Sequence, residues 1–417
     1  MLATMALMFL IAAIVIGFVR NINVGFVCLG LALILGLVGG VSAKEILSGF
    51  PSSLFMTLLG TMFFFSLLQE NHTLELLSKK MVGLVGKKYF LIPILIYLVS
   101  YLLSAAGPGA ISVQTVMIIF AVALAVQMDA SPILLGGMAI LGAVGGTASP
   151  IALTGILVKD LTAEMEGLEN IAVYVFFGVS AANFFCAVLL YFLYGGYRLK
   201  GENEVKEKLP AFTKKQMICI AALLVMVVAV VGFRYDVGLV CFTLSLLLML
   251  LGTVNEKAAL KLVPWSVLIL ICGVNVLMSV TKTLGGIDLL ADLLAKLMNG
   301  ATASPVMSLT AGMMSWFSSA NGVVFPTLIP TAPVIAANVG GGVTAKDLIM
   351  AIVGAATVAG ISPMSTGGSL ILASYTQSKE VSDKEQSNLF ARLFATSLGC
   401  VAVVMVFGWI GGFKLFG

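Results

Sequence analysis

Gly142-Ala143-Val144-Gly145-Gly146-Thr147-Ala148-Ser149-Pro150 and Gly360-Ile361-Ser362-Pro363-Met364-Ser365-Thr366-Gly367-Gly368 interrupt two otherwise apolar runs of this chain. Each is preceded by another interruption, Ser104-Ala105-Ala106-Gly107-Pro108-Gly109 before the first and Ser318-Ser319-Ala320-Asn321-Gly322 before the second. Glycine weakens a helix and proline cannot donate the helical hydrogen bond. In hydrocarbon, a backbone that leaves the helix finds no water to replace the bonds it loses. The breaks are therefore expected to be buried in protein or to line a polar hollow.

Composition places these runs in a membrane. Of 417 residues, 60% are hydrophobic and 10% charged, with a mean hydropathy of +1.11. Soluble domains carry about 25% charged residues. An all-α polytopic membrane protein is expected. The net charge of +4 gives no sign of a nucleic-acid partner, because the basic residues fall in loops. Leu2–Val19 lacks the basic flank and small-residue cleavage site of a signal peptide and is expected to be the first span. The six cysteines stand singly in apolar segments, and His72 is the only histidine. Neither a metal cluster nor a nucleophile–histidine–acid set is spaced for chemistry, so no enzyme activity, organic cofactor or metal other than a sodium ion is expected.

At about 20 apolar residues per span, the sequence divides into ten spans and two re-entrant hairpins. Residues 1–197 form a first repeat, with a hairpin at about 89–127 and a broken helix at about 131–158. A basic cytoplasmic connector covers 198–216. Residues 217–417 form a second repeat, with a hairpin at about 303–338 and a broken helix at about 346–376. Pro51 with Gly60 matches Pro264 with Gly273 at an offset of 213 (264 minus 51), and Ser149-Pro150 matches Ser362-Pro363 at the same offset. Met138–Ala143 matches Met350–Ala355 at 212 (350 minus 138). Three ordered blocks at nearly one offset indicate duplication. Five spans per half is an odd number, so the second half enters from the opposite side, giving inverted repeats.

Charge sets the orientation. Lys44, Lys159, Arg234, Lys282, Lys296, Lys346 and Lys414 fall on the side of the N-terminus, and the other sixteen of 23 Lys and Arg fall opposite. The richer side is cytoplasmic by the positive-inside rule. Both termini are expected on the extracytoplasmic side of a cell (plasma or inner) membrane.

No ionisable residue lies near mid-membrane in the spans, which weighs against a proton pump or a carboxylate-based cation exchanger. What remains at depth is hydroxyls, glycine backbone, helix ends and one amide at a hairpin tip, Asn321. A half-helix N-terminus carries roughly +0.5 charge and suits an anion. Half-helix C-termini and unwound carbonyls suit Na⁺. Substrate contacts are expected from Ser104, Gly107, Ser112, Thr147, Ser149, Ser319, Asn321, Gly322, Ser365 and Thr366. The coupling ion is expected at Ser104, Gly107, Gly145, Ser318, Asn321 and Gly360. Gly146, Thr154, Ser362 and Gly367 complete the two clusters. Each hydroxyl has an alternative use in a bond to its own helix or in helix packing.

Gly49-Phe50-Pro51-Ser52-Ser53-Leu54-Phe55-Met56-Thr57-Leu58-Leu59-Gly60, Gln69-Glu70-Asn71-His72-Thr73 and Gly142–Ile151 resemble the MatC-type dicarboxylate (malonate) carrier family. More distantly the plan is similar to the ion-transporter superfamily that includes INDY-type divalent-anion/sodium symporters, with Ser-Asn-Thr at each hairpin tip. Here the tips read Ser104-Ala105-Ala106-Gly107 and Ser319-Ala320-Asn321-Gly322, matching that motif in part. The resemblance implies hairpins and broken helices that hold a dicarboxylate and Na⁺. It also implies an elevator-type transport domain moving against a scaffold, and a homodimer. The reading is a secondary-active transporter of a small organic anion such as malonate or a C4-dicarboxylate, coupled to sodium or alternatively to protons. The alternatives are an anion exchanger, a channel, or the membrane subunit of a binding-protein-dependent (TRAP-like) uptake system.

Overall fold

The computed structural model describes residues 1–20, 22–83, 88–199, 210–233, 235–378 and 381–416. Lys87, Arg234, Lys379 and the connector's 200–209, which entered the charge argument, lie outside the described residues. No strand occurs among those described.

The first half runs α1 (Leu2–Arg20), α2 (Val24–Gly39), α3 (Ala43–Ser48), α4 (Ser52–Glu70), α5 (Thr73–Gly83), α6 (Ile92–Ala105), α7 (Gly109–Gln127), α8 (Pro132–Gly146), α9 (Leu153–Leu161) and α10 (Ile171–Leu193). The second half opens with α11 (Lys214–Val227), α12 (Val237–Leu250), α13 (Glu256–Leu262), α14 (Trp265–Thr283) and α15 (Gly286–Ala295). It continues with α16 (Ala303–Phe317), a π turn (Ala320–Val324), α17 (Phe325–Leu328), α18 (Ala332–Val339), α19 (Ala345–Val358), α20 (Thr366–Ser378) and α21 (Asp383–Trp409). Seven helices among the described residues are long and apolar enough to cross a membrane, and shorter apolar helices lie between them.

Helix starts recur at one spacing. Val24, Ala43, Ser52, Thr73, Pro132 and Leu153 open helices, and so do Val237, Glu256, Trp265, Gly286, Ala345 and Thr366, each 213 residues on (237 minus 24). Local chemistry explains several of these starts. Asn23 and Asp236 cap α2 and α12, Ser42 and Asn255 cap α3 and α13, and Pro51 and Pro264 precede α4 and α14. A side-chain oxygen at an N-cap satisfies an otherwise orphaned N–H.

The halves interlock through glycine. A methyl group placed on Gly25 of α2 would lie 2.3 Å from the Ile269 carbonyl oxygen of α14, and one on Gly273 would lie 2.2 Å from the Gly25 carbonyl oxygen. The counterpart crossing joins α4 and α12, where a methyl on Gly60 would lie 2.5 Å from the Gly238 carbonyl oxygen. Small residues let membrane helices approach to backbone contact.

α8 and α19 form the centre. Every residue from Ile133 to Gly146 and from Asp347 to Val358 is buried. A helix that is apolar on all sides belongs in a core. α6, α7 and α10 enclose α8, and α16, α10 and α21 enclose α19. Two smaller cores are separate from this one, the first with Ala6, Leu10, Cys28, Leu35 and Leu277 and the second with Phe64, Phe65, Cys219, Met226 and Leu248.

One element differs from the expected plan. The second arm of the second hairpin is expected as a single half-span. It instead passes from the π turn through α17 and a single 3₁₀ turn at Ile329–Thr331 into α18. Pro326, Pro330 and Pro333 each remove a helical N–H donor from this arm, so one α-helical ladder cannot run through it.

Candidate functional site

Both interrupted spans are broken. α8 stops at Gly146 and α9 starts at Leu153, while α19 stops at Val358 and α20 starts at Thr366. Backbone groups freed by each break find partners. In the first, the Thr147 carbonyl accepts from the N–H groups of Thr154 (3.1 Å) and Gly155 (3.2 Å), and the Gly146 carbonyl accepts from Ser149 N–H (2.9 Å). In the second, neighbouring helices supply hydroxyls. Ser315 of α16 donates to the Ala356 carbonyl (2.7 Å) and Ser397 of α21 to the Ala359 carbonyl (3.1 Å), with Trp316 Nε1 donating to Ser397 Oγ (3.0 Å). Ser365 Oγ donates to the Gly360 and Ser362 carbonyls. This is how irregular backbone survives at depth.

The hairpin tips pack onto these breaks. At the first tip Gly107 has φ +135° and Gly109 φ +73°, conformations that an L side chain rarely adopts. Gly109 sits against Leu153 and the Thr147 hydroxyl, and Gly107 against Phe65 and Met226. Ser104, in the last turn of α6, faces Gly146. The hydroxyls of Ser104 and Thr147 are buried and have no hydrogen-bond partner among the described residues. Ser112 is half-buried in the first turn of α7, Ser149 is buried in the loop, and Gly145 packs between Tyr101 and Asn183.

At the second tip, Ser319 Oγ accepts from Gly322 N–H (3.1 Å), and its carbonyl accepts from Val323 and Val324 N–H. Gly322 presses on Leu270 of α14. Ser318 donates its hydroxyl to the Met314 carbonyl (2.6 Å). Gly360 faces open space, Gly367 rests on Ile140 of α8, and Thr366 is exposed.

One side-chain bond joins the two clusters. Thr154 Oγ1, at the start of α9, donates to Asn321 Oδ1 in the π turn at 2.8 Å. In the other direction α20 packs along α7 and reaches α8, with Ile371 against Gly136. The fold thus joins Thr154 of the first half to Asn321 of the second, with the Thr147 carbonyl bonded to Thr154 N–H and Ser104 against Gly146 on the first side, and Ser319 bonded to Gly322 on the second. Ser365 spends its hydroxyl on its own loop, and Thr366 lies at the surface. No group of three or more His, Cys, Asp or Glu that could hold a metal occurs among the described residues.

Sequence reasoning missed two amides. Gln114 in α7 and Asn183 in α10 are buried inside continuous helices. Asn183 Nδ2 donates to the Val179 carbonyl (2.9 Å), while its Oδ1 has no partner among the described residues. The available signal was a lone amide within an uninterrupted apolar run.

A cleft of about 850 Å³ opens between the end of α4 (Gln69, Glu70), α5 (Glu75, Lys79), α7 and α13 (Lys261, Leu262). On α7 it is lined by Thr115, Val116, Ile119, Phe120, Ala123, Leu124 and Gln127, spaced as one helical face. Ser112 lies on that face one turn further in. At the mouth, Lys79 pairs with Glu75 (2.9 Å) and His72 Nδ1 lies 3.0 Å from Glu75. The hydrogen bond from Lys79 holds the Glu75 carboxyl below its ordinary value, against a smaller opposing effect of burial.

Residues 1–147 match the family described as dicarboxylate carrier protein MatC N-terminus. No curated protein matches the chain in sequence. Among solved structures, the Alcanivorax borkumensis YdaH transporter is similar at a TM-score of 0.58 and 14% identity, covering 91% of this chain and 88% of that one. Neisseria gonorrhoeae MtrF, described as illuminating a class of antimetabolite efflux pumps, is similar at a TM-score of 0.59 and 15% identity, covering 91% of this chain and 83% of that one. At these identities the likeness is one of fold. The described residues form an all-helical fold like that of these two proteins, with seven helices apolar and long enough to cross a membrane, and the N-terminal third matches the dicarboxylate-carrier family model.

Proposed function

We propose, from a dicarboxylate-carrier N-terminal third and a transporter fold, that the chain is a secondary-active carrier of a small dicarboxylate, malonate or a C4 acid. The observation that carries this reading is the bond from Thr154 to Asn321, which joins a broken span of one half to a hairpin tip of the other through stretches, 147–155 and 318–324, that contain no charged residue. Helix ends and amides there supply the positive potential that an anion needs. Ser104, Thr147 and Asn321 are the contacts of first choice. Sodium is the coupling ion, held by carbonyls of the two breaks.

The two glycine crossings at one offset support a repeat, and five spans with a hairpin per half, an odd number of crossings, make it an inverted one. Contacts between segments assigned to the same side support that assignment, and the excess of Lys and Arg on one side supports both termini lying outside. Lys282 of α14 lies 3.6 Å from Glu164, both on the outer side, and Gln216 Nε2 donates to the Asn71 carbonyl on the inner side. In this reading the central core is the transport domain, the two smaller cores are the scaffold of a homodimer, and the cleft along α7 is the cytoplasmic approach to Ser112. The plasma or inner membrane is the site of action, and elevator motion of the central core is the mechanism.

Purified protein in liposomes should take up labelled malonate or succinate saturably, faster with an inward Na⁺ gradient. Flux that rises linearly with concentration, or uptake of none of the mono-, di- and tricarboxylates tested, would overturn the proposal.

A further inference from the structure

We infer that Thr154 is a positioning residue that turns Asn321 into a hydrogen-bond donor for the anion and takes it out of the cation site. The inference rests on the carrier reading above. Asn321 has the chemistry for either role, because an amide offers a carbonyl oxygen to a cation and an NH₂ group to a carboxylate. The fold decides between them. Thr154 Oγ1 donates to Asn321 Oδ1 at 2.8 Å, so the oxygen end is already engaged. Among the described residues nothing bonds the Nδ2 end.

Both partners are held in place. Thr154 is fully buried, its N–H donates to the Thr147 carbonyl (3.1 Å), and the neighbouring Gly155 touches the Ser149 carbonyl too closely to admit a methyl group. A β-branched side chain in such a setting has little freedom at χ1. Asn321 sits in a π turn whose first N–H groups are capped by Ser319 and whose Gly322 abuts Leu270. The amide therefore presents two N–H donors to whatever lies between the clusters. Donors recognise carboxylate oxygens and repel a cation. Thr154 acts on the substrate only through Asn321.

Thr154→Val keeps the shape and removes the donor. In liposomes, the malonate concentration for half-maximal uptake should rise about three- to tenfold, while the Na⁺ concentration for half-maximal uptake stays the same. Thr154→Ser should restore the wild-type value. Independently of any substrate, the unfolding stabilities of Thr154→Val, Asn321→Ala and the double variant should be non-additive, as for residues in contact. Additive stabilities would remove the bond, and a shift in the Na⁺ requirement without one in malonate would return Asn321 to the cation site. Failure of the wild type to carry any of the mono-, di- and tricarboxylates tested would sink the carrier reading and the donor role with it, while the stability cycle would still decide whether the bond exists.

Discussion

Ser104 and Thr147 stand apart from the other candidate hydroxyls because the fold buries them and gives them nothing to bond among the described residues. An unsatisfied buried polar group costs about 1–3 kcal/mol, so its presence calls for a reason. A ligand that completes the set supplies one. Thr147→Val should melt no lower than wild type while losing at least about tenfold in malonate uptake, the loss of one good ligand bond. Unchanged uptake would leave Thr147 a packing residue. Asn321→Ala should abolish uptake yet remain folded and monodisperse on a sizing column. Ser319, Ser362 and Ser365 differ, because their hydroxyls already bond backbone of their own loops. The sequence located the breaks through glycine and proline, and with them these hydroxyls. It could not say which hydroxyls the loops themselves would consume, since that depends on where a chain turns after it leaves the helix. Asn183 and Gln114 went unread because attention to breaks passes over an amide in a continuous helix.

At the level of elements, the glycine crossings carry the most testable claim. A methyl on Gly25 or Gly238 would meet backbone, at 2.3 Å and 2.5 Å respectively, and backbone cannot rotate aside. Gly25→Ala and Gly238→Ala should each cost about 1–3 kcal/mol or more in thermal unfolding, the usual range for overpacking. Gly30→Ala in the same helix, where nothing lies within 4 Å, should be neutral or stabilising. Equal effects at the three positions would contradict the crossing. Pro51 and Pro264 marked two helix starts in the sequence, while the caps at Ser42 and Asn255 went unread. The second hairpin's outer arm was less legible: hydropathy registers Pro326, Pro330 and Pro333 as ordinary members of an apolar run and does not count the donors they remove. α5 adds a pH effect. Glu75 has its carboxyl lowered by Lys79, so its contribution is present above the ordinary value of 4.5 and is lost as pH falls through the lower folded value. Glu75→Gln should therefore narrow the drop in melting temperature between neutral and acid pH, and an unchanged drop would show that the pair is inert.

For the whole molecule, the arrangement is one large core and two smaller ones, with a cleft along the face of α7. All six cysteines are free and buried, so one introduced thiol can be read without background. Thr115→Cys should react with a membrane-impermeant maleimide from the side of the basic loops and not from the other. Labelling from the opposite side would reverse the orientation. The 213-residue recurrence of helix starts was readable from three short blocks, because Pro51 and Pro264 precede matching helices and Gly60 and Gly273 stand at matching crossings. The interlocking of the halves was not, since neither block records which helix of the other half its glycine meets.

The central claim is that one anion bridges segments from both halves. Hydrogen–deuterium exchange with and without malonate tests it most directly. Malonate should slow exchange in 147–155 and in 319–324 together, with smaller effects elsewhere. Protection confined to one of these segments, or to the cleft residues of α5, α7 and α13, would contradict it.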